Sequence, residues 1–212
     1  MINLDKAIFF DLDGTLWDAT RNIKDSWNRV LTRENIDYQF SYQEIKSFMG
    51  LTPQETGEIA FKDKNKDEQM RLFMAMFDEE IKSLAIVPGA LYPDECQVLE
   101  ELSKKYDLYV VSNAFKGYIE NYLKVEGISQ YFKGHLCAGD TGKSKAYNID
   151  YLRKKINASK VIYVGDTYKD MVESEKAGVI FIHAAYGFGH IDNPKYKINK
   201  LNELPQLVES IN

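Results

Sequence analysis

Two carboxylates one residue apart, Asp11 and Asp13, end the apolar run Ala7-Ile8-Phe9-Phe10 and are followed by Gly14 and Thr15. Like charges at the mouth of an apolar strand are costly when unpaired, so a cation or a reaction has to account for them. Residues i and i+2 of an extended segment share a face, so both acids can reach one substrate, and Gly14 permits a tight turn away from the strand. Further along stand Ser112-Asn113, the lysines Lys143 and Lys145, and Gly165-Asp166-Thr167 with Asp170 one helical turn on. Acids, hydroxyls and one lysine form the set that phosphoryl transfer requires. Phosphate monoesters need up to about 10²¹-fold acceleration, whereas one well-placed donor supplies about 3–4 kcal/mol. A carboxylate nucleophile divides the reaction into two easier steps. A lysine and Mg²⁺ would neutralise the non-bridging oxygens, hydroxyls would orient the phosphoryl group, and a second acid would move the proton.

These residues need elements to bring them together. Residues 18–86 show helical patterning with no strand signal: Ile23, Trp27, Val30 and Leu31 recur at helical spacing. Met70, Phe73, Met74, Phe77, Ile81 and Leu84 mark a longer amphipathic helix, read as bundle core. Ser41-Tyr42-Gln43-Glu44 and Thr52-Pro53-Gln54-Glu55 match the capping-box pattern, with Pro53 at the first helical position. The Lys62–Lys66 charge run reads as a solvated loop between helices. After Pro88 the texture alternates, with helices near 93–105, 116–126, 144–156 and 168–177 and strands at 107–112, 134–138, 160–165 and 179–183. The strands are short and nearly continuous in apolar residues, as in a parallel sheet covered on both faces.

The fold class is therefore α/β, a Rossmann-like parallel-sheet core with an α-helical cap domain inserted after the first strand. The expected boundaries are 1–16 and 88–212 for the core and 17–87 for the cap. Ligands of such sheets bind beyond the carboxyl ends of the strands, where all the singled-out residues fall. Taken singly, Asp170 or Ser112 would be read as a helix cap and either lysine as surface decoration. Asp11, Asp13 and Asp166 at adjacent strand ends, however, require compensation, which an oxygen-liganded Mg²⁺ would supply.

The chain has 212 residues and a net charge of −5, with Lys and Arg scattered, which argues against a nucleic-acid-binding face. No run of about 18 apolar residues marks a membrane span, and the stretch after Asp5-Lys6 is too short for a secretory leader. Cys96 and Cys137 lie in apolar surroundings without CxxC spacing, so both are expected as buried thiols in a reducing compartment, and the expected location is cytoplasmic.

Asp11-Leu12-Asp13-Gly14-Thr15, Ser112-Asn113, Lys145 and Gly165-Asp166-Thr167-Tyr168-Lys169-Asp170 resemble the four ordered motifs of the haloacid dehalogenase superfamily. The closest resemblance is to its phosphoglycolate-phosphatase-like and β-phosphoglucomutase-like members, partly through Ala185-Tyr186-Gly187-Phe188-Gly189 after the fifth expected strand. The resemblance implies a Mg²⁺-dependent phosphoric monoester hydrolase that acts through an aspartyl-phosphate on a small phosphorylated metabolite, including a phosphoglycolate-like one, as a monomer or homodimer. It implies Asp11 as nucleophile and metal ligand, and Asp13 as general acid/base whose backbone carbonyl also meets the metal. Thr15, Ser112 and Asn113 would be phosphate-binding, Asp166 and Asp170 would serve the metal, and Lys145 would be the catalytic and phosphate-binding lysine, with Lys143 as the alternative. An Asp at position 13, where true dehalogenases carry Tyr, favours phosphate chemistry. A phosphotransferase or phosphosugar mutase shares the same core, and a non-catalytic phosphate-binding module shares the fold. Residues around Phe48–Thr52 or Arg71 are the candidates to meet the leaving group.

Overall fold

In the computed structural model, residues 6–211 are described; residues 1–5, on which the leader reading partly rests, lie outside them. The chain runs β1 (Lys6–Phe10), β2 (Trp17–Asp18), then four helices, α1 (Thr20–Arg33), α2 (Tyr42–Phe48), α3 (Pro53–Ala60) and α4 (Lys66–Leu84). There follow β3 (Ala90–Leu91), α5 (Glu95–Ser103), β4 (Asp107–Ser112), α6 (Tyr118–Val125), β5 (Phe132–Cys137), α7 (Ala138–Thr141) and α8 (Lys145–Lys155). The chain ends with β6 (Lys160–Gly165), α9 (Tyr168–Lys176), β7 (Ile180–Ala184), β8 (Lys197–Ile198) and α10 (Leu204–Ser210).

Six strands form one sheet in the order β5-β4-β1-β6-β7-β8, every pairing parallel. The α/β parallel-sheet expectation holds. Strand β1 lies between β4 and β6, and its Ala7, Ile8, Phe9 and Phe10 are all buried because helices cover both faces. One face joins the large core that extends into α1–α4; the other packs Phe9, Tyr109 and Tyr163 on Ile149 and Leu152 of α8. The chain order reverses across β1, which opens a crevice at the carboxyl ends of β1, β4 and β6.

Several local expectations need correction. Residues 17 and 18 are not helical: β2 pairs antiparallel with β3, tying together the two strands that bracket the helical block. The two expected capping boxes are present at Ser41/Glu44 and Thr52/Glu55. The buried stripe of α4 is rotated from the expected one. Met70 is exposed, while Leu72, Phe73, Met76, Phe77, Glu80 and Leu84 turn inward. Cys96, expected buried, is exposed: it sits on α5, whose inward face is taken by Glu95, Val98, Leu99 and Leu102. Cys137 is buried. No helix among the described residues is long and apolar enough to cross a membrane.

Candidate active site

Backbone geometry delivers the first acids. Asp11 N–H donates to the Val164 carbonyl at 2.8 Å, carrying the ladder one residue past β1 into the crevice. The chain then turns sharply. Gly14 adopts φ +85°, and a Cβ there would come within 2.3 Å of Asp166 Oδ2, so only glycine lets this turn lie against the end of β6. Gly187 packs against the same turn: its Cβ would meet the Gly14 carbonyl at 2.3 Å.

Lys145 is the centre of the cluster. Ser144 caps α8 by accepting from Tyr147 N–H, which places Lys145 at the first helical position, facing inward. Its buried ammonium donates to Asp11 Oδ1 at 2.9 Å and to Asp170 Oδ1 at 2.5 Å. Lys143 is exposed on the preceding loop, so of the two lysines Lys145 is the one that reaches the acids. Asp170 is both cap and partner. Its Oδ2 accepts from Thr167 N–H at 3.0 Å in a capping box, leaving Oδ1 for Lys145.

Asp166, at the end of β6, is wholly buried and accepts from Phe188 N–H at 2.7 Å; the Thr15 hydroxyl lies 3.5 Å from its other oxygen. The sequence pattern does not identify Phe188 N–H as its partner, although the Gly-flanked run after β7 is plain in it. Asp13 is half-buried and accepts from the Tyr118 hydroxyl at 2.9 Å, a second partner the sequence reading missed. Ser112 and Asn113 cap the end of β4. Ser112 Oγ accepts from Ala114 N–H at 3.3 Å, and Asn113 Nδ2 donates to the Gly50 carbonyl between α2 and α3 at 2.9 Å. Arg71 is not part of this arrangement. It pairs with Glu34 and Glu68 on the exposed surface.

The electrostatics follow from crowding. Burial, then Asp170, raise Asp11 to about 6 against the opposing pull of Lys145. Burial and the neighbouring Asp11 push Asp13 further, to about 7, with the Tyr118 hydrogen bond opposing. Asp166 lies well above the usual carboxylate range because it is buried beside Asp170 and Asp11. Burial alone would lower Lys145, but Asp11 and Asp170 hold it well above its ordinary value. One ammonium thus faces several buried acids. Asp11, Asp166 and Asp170 each offer an oxygen within 4.8 Å of the others, and a hard, oxygen-seeking cation such as Mg²⁺ fits this all-oxygen, under-compensated set. The carboxylate of Asp13 stands outside that trio.

Beside Asp13 the crevice continues as a cavity of about 70 Å³ between the helical block and the sheet. Met49, Leu51 and Pro53 line it from the α2–α3 connection, within or beside the expected Phe48–Thr52 segment. Trp27, Phe73, Phe77 and Glu80 line it from α1 and α4, and Phe115 and Tyr118 from the sheet side.

The family model described as haloacid dehalogenase-like hydrolase matches residues 8–184, and the chain belongs to that family. Similar curated proteins include a phosphoglycolate phosphatase of Aquifex aeolicus, 25% identical with 97% of each chain covered. A pyrophosphatase PpaX of Oceanobacillus iheyensis is also 25% identical, with 96% of each chain covered. A haloacid dehalogenase-like hydrolase of Streptococcus pneumoniae shares the fold with a TM-score of 0.82 at 24% identity, covering 94% of this chain and 96% of that one.

Proposed function

We propose that this haloacid dehalogenase-like hydrolase is a Mg²⁺-dependent phosphatase that cleaves small phosphomonoesters through an aspartyl-phosphate on Asp11. The observation that carries the reading is the buried Lys145 ammonium held between Asp11 and Asp170, with Asp13 and Asp166 at the same strand ends. Asp11, Asp166 and Asp170 would hold the metal, with the Asp13 carbonyl as a further ligand. Bound there, the cation would offset negative charge on the acids and on the phosphoryl oxygens.

The chain's own groups account for the rest. Lys145 orients the Asp11 carboxylate and neutralises charge on the phosphoryl group. The Thr15 and Ser112 hydroxyls bind the phosphoryl oxygens and align the group for in-line attack, with Asn113 beside them tying the end of β4 to the Gly50 carbonyl. An Asp11 oxygen bonds to phosphorus as the ester P–O bond breaks, and Asp13 gives its proton to the departing alkoxide. Asp13 then takes a proton from water, whose oxygen attacks phosphorus, releasing inorganic phosphate and the free Asp11 carboxylate. The two acids are suited to different tasks. Burial and the neighbouring Asp11 raise Asp13 and favour a proton it can give, while the Lys145 ammonium 2.9 Å from Asp11 favours an ionised nucleophile.

Residues 17–87 would form a cap domain over a core made of 1–16 and 88–212. The β2–β3 pair at the two crossings would be the hinge, and closure would exclude water during phosphoryl transfer. The direct test is Mg²⁺-dependent release of phosphate from p-nitrophenyl phosphate and a panel of phosphorylated metabolites, with acid-quench trapping of the phosphoenzyme. Turnover by Asp11→Asn at wild-type rates would exclude the covalent scheme. Isomerised sugar phosphate in place of inorganic phosphate would make the protein a mutase.

A further inference from the structure

We propose, building on the phosphatase reading, that the leaving group is an alcohol that carries no negative charge. The cavity beside Asp13 is where a leaving group must sit, because Asp13 is the acid that protonates it and lines the cavity wall. It holds about 70 Å³ and opens to solvent on one side.

Its chemistry is one-sided. Among the described residues, none of the fourteen that line it is Lys, Arg or His. Its charged or chargeable members are two acids, Asp13 and Glu80. Most of the remaining surface is apolar, including Trp27, Phe73, Phe77 and Phe115. Lys145 is engaged with Asp11 and Asp170, and Lys169 with Glu55 at 2.7 Å.

Its polar groups bring no positive charge. Asn113 is almost fully buried, its Nδ2 is committed to the Gly50 carbonyl, and its Oδ1 has no hydrogen-bond partner. Glu80 is 4% exposed, accepts from Trp27 Nε1 at 2.6 Å, and has its other oxygen free of any side-chain partner. Burial pushes its carboxyl up to about 8, so the pocket resists even its own negative charge. A carboxylate or second phosphate placed here would be desolvated next to Asp13 with no cation to meet it. A neutral hydroxyl would lose far less on burial than a charged group, while its carbon skeleton packs on the aromatic rings.

The test compares two esters of equal length, 2-hydroxyethyl phosphate and 2-phosphoglycolate, by kcat/KM with Mg²⁺ present. The proposal expects the hydroxyethyl ester to lead by at least about tenfold, and the gap to lie mainly in KM. Met49→Lys, at a partly exposed lining position, should move the ratio toward 2-phosphoglycolate by a similar factor. Equal or faster turnover of 2-phosphoglycolate by the wild-type protein overturns the proposal whether or not the variant folds. Failure to hydrolyse any monoester, p-nitrophenyl phosphate included, would instead overturn the phosphatase reading itself. A ratio that does not respond in a folded Met49→Lys protein would also count against the cavity as the leaving-group site.

Discussion

The two walls of the crevice solve the problem of buried acid in opposite ways. On the sheet side, Asp11 and Asp170 stay close together because a buried ammonium lies 2.9 Å and 2.5 Å from them. On the helical side, Glu80 has only the indole N–H of Trp27 and aromatic neighbours, and burial raises it to about 8, where it holds its proton. One wall retains charge by pairing it; the other disposes of charge by protonation. A phosphoryl group suits the first wall and an uncharged alcohol suits the second, so a single phosphomonoester bridges both.

Substitutions can break this contrast, beginning with the charged wall. Asp11→Asn should lower kcat by roughly 10⁴-fold or more while far-UV circular dichroism remains native, since it removes the nucleophile without changing volume. Asp13→Asn should cost roughly 10²–10⁴-fold, the range for a lost general acid. Chelation of divalent cations should abolish turnover, and added Mg²⁺ should restore it.

Lys145→Met tests whether pairing holds that wall together. Leaving two buried carboxylates without their cation costs about 3–5 kcal/mol, and in a chain of this size Tm should fall by about 10 °C in metal-free buffer. Added Mg²⁺ should recover part of the loss. An unchanged Tm would mean that the acids are neutral without the lysine, which would erase the contrast.

Glu80→Gln examines the other wall. A carboxyl raised from 4.5 to about 8 in the folded state binds its proton more tightly there than in the unfolded chain. The stability it contributes is complete below about pH 4.5 and is lost as pH rises through 8. Wild-type Tm should therefore fall between pH 5 and 9, and Glu80→Gln should flatten part of that fall. Glu95, raised to about 8 by burial, acts with the same sign and leaves a residual slope. A slope unaffected by the variant would show that Glu80 is ionised in the folded protein.

The smallest effect is expected where the walls meet at the surface. The Lys169–Glu55 bridge joins α9 to α3 with side chains 36% and 43% exposed. Lys169→Ala should change stability by less than about 1 kcal/mol, and by less still at high salt. A much larger loss would mean that the bridge, rather than the shared aromatic packing of Phe77 with Phe115 and Tyr118, holds the helices down.

The charged wall was more legible than the aromatic one. Asp11, Asp166 and Ser112 each follow a short run of buried aliphatic and aromatic residues, and parallel strands must place their ends on one side of the sheet. Lys145 was harder to separate from Lys143, because the choice depends on Ser144 capping α8 and so directing one lysine inward. Glu80 does carry a signal in the sequence, since it continues the Phe73, Phe77 and Leu84 stripe at helical spacing, but glutamate on an amphipathic helix ordinarily marks the solvent side. Strands β2 and β3 have two residues each, too few for any periodicity. Cys96 goes the other way: it stands between Glu95 and Gln97, and the buried face of α5 is taken by Glu95, Val98, Leu99 and Leu102.

What the sequence determined by itself was the alternating core and the acids at the strand ends, because local periodicity and turn residues encode them directly; the family was legible only through the resemblance of its ordered motifs. Tertiary structure alone decided the partners: Tyr118 on Asp13, Phe188 N–H on Asp166, and Trp27 on Glu80, pairs separated by 105, 22 and 53 residues. Whether a carboxylate is charged depends on what surrounds it in space, and long-range packing supplies those surroundings.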